Sequence, residues 1–214
     1  MYVVSVSAGS TSTPARNPWP NRKKEFCEEK CNMKSLRFVL PVVLICFSTV
    51  VFAQSDAEKS FTQLKTLAGV WQGPVTTVPQ QPDMDKPVRV LLRVTSRGNA
   101  LVHEMKEAGA PDDPTRYDDP ITMLYLDGDR LLLTHYCDAG NRPRMVGKLA
   151  PDGKSVEFDF LDVSGGTQYG HMQHAVFTVI DPNHHTEDWT YLEPGDKSVH
   201  AHFDLERSGT TGTK

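Results

Sequence analysis

Ten short segments of alternating or continuously apolar character follow one another with little but turn chemistry between them, and this rhythm restricts the fold more than any other feature. The segments lie at 70–77, 88–96, 100–107, 121–127, 130–136, 145–150, 155–161, 172–180, 186–192 and 199–207. Arg97-Gly98-Asn99, Asp127-Gly128-Asp129, Pro151-Asp152-Gly153 and Asp181-Pro182-Asn183 fill gaps between neighbours. Gly and Asn tolerate positive φ, and Asp and Pro favour turns, so these gaps predict tight reversals between sequential antiparallel strands. So long a meander exposes two edges unless it closes. An all-β, up-and-down antiparallel closed barrel of about ten strands is therefore expected, with a β-sandwich as the alternative. Ahead of it, residues 58–67 place Phe61, Leu64 and Leu67 at helical spacing, which predicts one short N-terminal helix.

Alternation assigns the inward faces. In the last segment Val199, Ala201, Phe203 and Leu205 share one side, while His200, His202, Asp204 and Glu206 share the other. The same parity turns Val156, Phe158 and Phe160 inward, and likewise Val88, Val90, Leu92 and Val94. Two apolar faces include a titratable or thiol group: Leu101, His103 and Met105 on one segment, and Leu131, Leu133, His135 and Cys137 on another.

The first 53 residues read differently. Met33-Lys34-Ser35-Leu36-Arg37 is a short basic run, residues 38–52 are mostly apolar, and Val51-Phe52-Ala53 offers small residues at the −3 and −1 positions. That pattern is a secretory signal peptide at 33–53, with cleavage expected after Ala53 and export to the periplasm or beyond. Its roughly 15 apolar residues fall short of the ~20 that a spanning helix needs, so no stable membrane insertion is expected after cleavage. Residues 1–32 read as a mis-assigned or disordered extension, 54–66 as a lead segment carrying the helix, 67–208 as the barrel and 209–214 as a disordered tail. Setting aside seven basic and three acidic side chains before residue 54 leaves 16 against 24, a formal charge of −8. An acidic domain of this kind argues against a nucleic-acid partner. Cys137 is the only cysteine after residue 53, so no internal disulfide can hold the exported domain.

Gly69-Val70-Trp71 opens the first segment behind the helical lead, and Arg207 ends the last. This arrangement resembles the calycin group, the lipocalins and fatty-acid-binding barrels. There, a G-x-W and an Arg near the end pack together as a structural barrel floor, which implies that role for Gly69, Trp71 and Arg207. The longer Gly69-x-Trp71-x-Gly73 also resembles nitrobindin-type haem-binding barrels, although Pro74 stands where those continue with x-Gly. A run from His135 to Met145, reading H-Y-C-D-A-G-N-R-P-R-M, together with Phe158-Asp159-Phe160, His171-Met172 and Trp189-Thr190, resembles a family of exported bacterial lipocalin-like domains without an assigned activity. That likeness implies a fold and a compartment rather than a reaction.

Gly140-Asn141 predicts a tight turn that sets Tyr136, Cys137, Asn141 and Arg144 around one rim. The leading expectation is a small-molecule-binding barrel for an apolar or amphiphilic ligand. Its ligand-binding candidates are His103, Met105, His135, Tyr136, Cys137, Asn141, Arg144 and Met145, with Arg144 placed to hold an anionic head group. The competing reading has Asn141 and Arg144 bonding the loop, with His135 and Cys137 as satisfied core residues. Haem is a candidate cofactor, because one imidazole of His103 or His135 in an apolar pocket suffices to ligate it. The alternatives are a small hydrolase or isomerase using His135 with Cys137 or Tyr136, and an envelope interaction domain that docks a partner through the hairpin. The H-x-H of His200 and His202 falls on the polar face by parity, so no metal site is assigned there.

Overall fold

Ser55 starts the first element. Its hydroxyl accepts the Glu58 N–H at 3.1 Å, and the Glu58 carboxylate accepts the Ser55 N–H at 2.9 Å, a reciprocal cap that opens α1 (Asp56–Lys65). The computed structural model describes residues 54–113 and 115–209; the expected extension, signal segment with its cleavage point, and final residues of the tail lie outside the described residues. Among the described residues no helix is long and apolar enough to cross a membrane.

Eleven strands follow: β1 (Gly69–Gly73), β2 (Val75–Val78), β3 (Val88–Thr95), β4 (Ala100–Glu107), β5 (Ile121–Asp127), β6 (Arg130–Tyr136), β7 (Arg142–Leu149), β8 (Ser155–Ser164), β9 (His171–Asp181), β10 (His184–Glu193) and β11 (Lys197–Arg207). Each from β3 to β11 pairs antiparallel with the next. β1 pairs with β3 through Trp71↔Val90 and with β11 through Trp71↔Arg207, and that second pairing closes the sheet. Closure excludes the sandwich. β2 continues along β11, with Val75 opposite Phe203 and Val78 opposite His200, so β1 and β2 are one strand interrupted at Pro74 and the barrel has ten staves. Just before the interruption, a Cβ on Gly73 would sit 1.7 Å from the Asp204 carbonyl oxygen, so only glycine lets the two backbones approach.

The interior follows the predicted parity along β11, where Val199, Ala201, Phe203 and Leu205 are all buried. α1 lays Phe61 and Leu64 against the ends of β5, β6 and β7, so one end of the barrel is plugged by helix. Two expectations fail at strand ends. Val94 is 39% exposed, because β3 is already passing into the short turn at Ser96–Gly98. Phe160 is 37% exposed, packing edge-on against His171 with ring centroids 4.7 Å apart. It lies where β7 and β8 slip register, with Arg144 opposite Asp162 but Met145 opposite Phe160, leaving Leu161 as an extra residue. β7 also starts three residues before the predicted 145, beyond its last pairing with β6 at Thr134↔Arg144, where Pro143 is tolerated.

Candidate functional site

At the plugged end Gly69, Trp71 and Arg207 come together as a floor. The Arg207 guanidinium lies 4.0 Å over the Trp71 ring, and its N–H groups donate to the carbonyl oxygens of Ala68 at 2.9 Å, Pro182 at 2.9 Å and Thr66 at 3.3 Å. The Trp71 indole N–H donates to the Leu67 carbonyl at 2.7 Å, joining the helix exit to the first strand. Gly69 has φ +149°, and a Cβ there would meet Arg207 Nη1 at 2.2 Å, so the glycine makes room for the guanidinium.

Above this floor β10 turns His185, Glu187 and Trp189 inward, two residues apart. Glu187 is fully buried. Its carboxylate accepts from His185 Nε2 at 3.0 Å, from Trp189 Nε1 at 3.0 Å and from His103 Nε2 at 3.0 and 3.2 Å. Burial alone would raise this carboxyl, but the His103 and His185 donors outweigh it and hold Glu187 well below the usual carboxylate range. The Nδ1 atoms of His103 and His185 are buried without partners, so Glu187 alone orients both rings. The His185 ring also packs edge-on against Trp71 at 4.2 Å, linking this polar layer to the floor. Phe177 meets Trp189, His103 and Phe158 edge to face at 5.5–5.9 Å, walling the layer with aromatic edges.

Beyond Trp189 the barrel is open. A cavity of about 460 Å³ reaches from solvent down to Trp189, Ala201 and Phe203. Its walls include Met105, Met172 and Val199, and its mouth carries Asp118, Asp138 and Glu193. His135 lines it while remaining only 4% exposed. The His135 Nδ1 pairs with the Thr122 hydroxyl at 2.8 Å, and burial first, then the nearby His103, push its imidazole down to about 3. It is therefore neutral at physiological pH. Cys137 lines the same wall, and burial pushes its thiol up, assisted by Asp118 and Asp138. Asp118 is raised to about 6, first by partial burial and then by the charge of Asp138, whose own backbone N–H it accepts at 3.1 Å.

The eight sequence candidates separate in space. Met105, His135 and Cys137 meet in the cavity wall. His103 lies one layer deeper, committed to Glu187. Met145 is wholly buried opposite Leu133 in the core. Tyr136 is 44% exposed and lines a shallow cleft beside Tyr117 and Ile121 rather than the cavity. Asn141 tethers the following loop, its amide donating to the carbonyls of Gly166 at 3.0 Å and Gly170 at 2.7 Å. Arg144 makes a bidentate pair with Asp162 at 2.5 and 2.8 Å, which raises the guanidinium further and keeps it from the cavity. His200 and His202 sit on the outer face, beside Thr190 at 3.0 Å and Asp188 at 2.6 Å. Sequence reading missed Glu187, His185 and Thr122. The signal for the first two was present: once Trp189 is turned inward, period-two alternation carries Glu187 and His185 inward with it.

No protein-family model matches the sequence, and a search of curated proteins finds no match. Among solved structures, the chain is similar to Rv2717c from M. tuberculosis, with a TM-score of 0.51 and 13% identity over 70% of this chain and 98% of that one. A protein of unknown function from the DUF3598 family of Nostoc punctiforme PCC 73102 is 9% identical over 73% of this chain and all of its own, with a TM-score of 0.21. The first likeness is one of fold.

Proposed function

We propose that this chain is an exported, lipocalin-like β-barrel that takes a small apolar or amphiphilic molecule into the cavity at its open end. The observation that carries the reading is the cavity itself, about 460 Å³, closed below by Trp189 and Phe203 and open above. That volume lies within the ~300–1,000 Å³ range of small-molecule sites. Its walls are chiefly thioether, aromatic and aliphatic, so a ligand gains about 25 cal/mol for each Å² of apolar surface it buries. The polar layer around Glu187 lies beneath the cavity floor, and below the mouth carboxylates His135, Gln81 and Tyr191 set a few polar groups in a largely apolar wall. Export and cleavage after Ala53 are part of the same proposal and rest on the sequence pattern at 33–53.

Haem fits this donor set poorly. His103 uses Nε2 for Glu187, and its Nδ1 is enclosed. His135 has the right neutrality, but the mouth presents carboxylates where haem propionates would need cations. Ala201→Trp provides the test, because it fills the cavity from one wall. A fluorescent apolar probe should bind the exported wild-type protein and lose most of its binding in the variant. Equal binding by both would place the site elsewhere and overturn the reading.

A further inference from the structure

We propose that the cavity selects a cationic amphiphile, with an ammonium-type head group held at the mouth and an apolar body below it. This rests on the cavity reading above and names the chemistry of its occupant. Three carboxylates, Asp118, Asp138 and Glu193, are among the lining residues, and no lysine or arginine is. They come from separate segments: the loop before β5, the loop after β6 and the last residue of β10. The fold therefore gathers negative charge around one opening. Lys86 pairs with Glu107, Lys106 with Asp112, and Arg144 with Asp162, while Lys197, opposite Glu193 in the β10–β11 register, and Arg116, over the Tyr117 ring, form no ion pair with the three carboxylates among the described residues.

The mouth groups register the field this creates. The Asp118 carboxyl, the Cys137 thiol and the Tyr191 phenol are all raised, each first by burial and then with neighbouring acidic groups among the causes. Carboxylates beside apolar surface are costly to desolvate, and an incoming cation relieves that cost where an anion adds to it. Deeper in, His135 is a second, independent pointer to a ligand. Its ring is 4% exposed and its Nδ1 is held by Thr122, while Nε2 has no protein hydrogen bond among the described residues. A neutral imidazole at that depth supplies one hydrogen bond to an uncharged polar group on the ligand body without opposing a cation above it. Tyr191, two residues before Glu193 on β10, adds an aromatic ring of the kind that attracts ammonium groups.

The test compares three probes with one chain length, decyltrimethylammonium, decanoate and decanol, each below its micelle concentration, against the full exported protein by calorimetry at low salt. The cation is expected to bind at least ~10-fold more tightly than the carboxylate, equivalent to about 1.4 kcal/mol. Asp118→Asn with Asp138→Asn should shrink that preference below about 3-fold, and Asp138→Lys should turn it toward decanoate. A cooperative thermal melt checks that each variant is folded. Decanoate binding as tightly as the cation overturns the proposal and leaves the cavity reading standing. Full preference in the folded variants overturns the placement of the head group. No binding of any of the three probes overturns the cavity reading itself, and the proposal with it.

Discussion

Glu187→Gln isolates the buried polar layer, because it removes one charge and keeps the heavy-atom outline. Oε1 faces His103 and His185, while Oε2 faces His103 and Trp189. A carboxylate accepts from all of them, whereas an amide has one accepting end and one donating end. The Trp189 indole can only donate, so the glutamine oxygen must turn toward it and its NH₂ must face His185. His185 then has to present a lone pair at Nε2 and carry its hydrogen on Nδ1, where no partner exists. A buried N–H without an acceptor costs about 1–3 kcal/mol, and the bonds to Trp189 and His103 each weaken by about 1 kcal/mol on losing the charge. Relief of carboxylate desolvation offsets part of this, leaving a loss of about 3 kcal/mol. For a domain of this size that lowers Tm by about 6–12 °C.

The pH dependence fixes the sign. The folded carboxyl is held below its unfolded value of about 4.3, so its contribution is complete above that pH and disappears as pH falls through the lower folded value. Thermal melts followed by circular dichroism should therefore show the widest gap between wild type and variant near neutrality, closing below about pH 4. A Tm within about 2 °C of wild type near neutrality, or a gap that widens on acidification, refutes the role given to Glu187.

Other perturbations have outcomes set by the same geometry. Arg207→Lys keeps the charge but loses the planar fork over Trp71 and its three carbonyl contacts, so the urea midpoint should fall by the equivalent of about 2 kcal/mol. Asp118 has a folded value raised to about 6, so the stability of its protonated form is complete below its unfolded value and lost as pH rises through 6. Asp118→Asn should therefore stabilise the protein near neutrality by about 1 kcal/mol after solvent screening, with the gain absent below about pH 4. Unchanged melting near neutrality would contradict the raised carboxyl. Cys137, half-buried with its thiol pushed up, should react with a bulky maleimide at least about tenfold more slowly in the native state than in denaturant, as followed by mass spectrometry. Equal rates would place the sulfur outside the cavity wall.

Local information went a long way here because a meander is built from neighbours. From β3 to β11 consecutive strands pair with one another, so turn chemistry at Gly128 or Gly153 and period-two alternation along β11 sufficed to predict strands, order and most inward faces. The helix was legible from the Phe61, Leu64, Leu67 stripe, and the floor from Gly69, Trp71 and Arg207 at opposite ends of the barrel domain. Where local rules failed, two strands had slipped or stopped: Phe160 at the β7–β8 register shift and Val94 at the end of β3.

The site was less legible because its members meet across the barrel. Residue spacing brought His135 and Cys137 to one wall, but nothing local told that Asp162 would claim Arg144, or that Asn141 would hold Gly166 and Gly170. Nor did it tell that Asp118, Asp138 and Glu193, from three separate segments, would converge on one opening. Alternation is a property of one strand and can be read along it. Partner choice among charged side chains depends on distances between strands and loops, and those exist only after the sheet has closed.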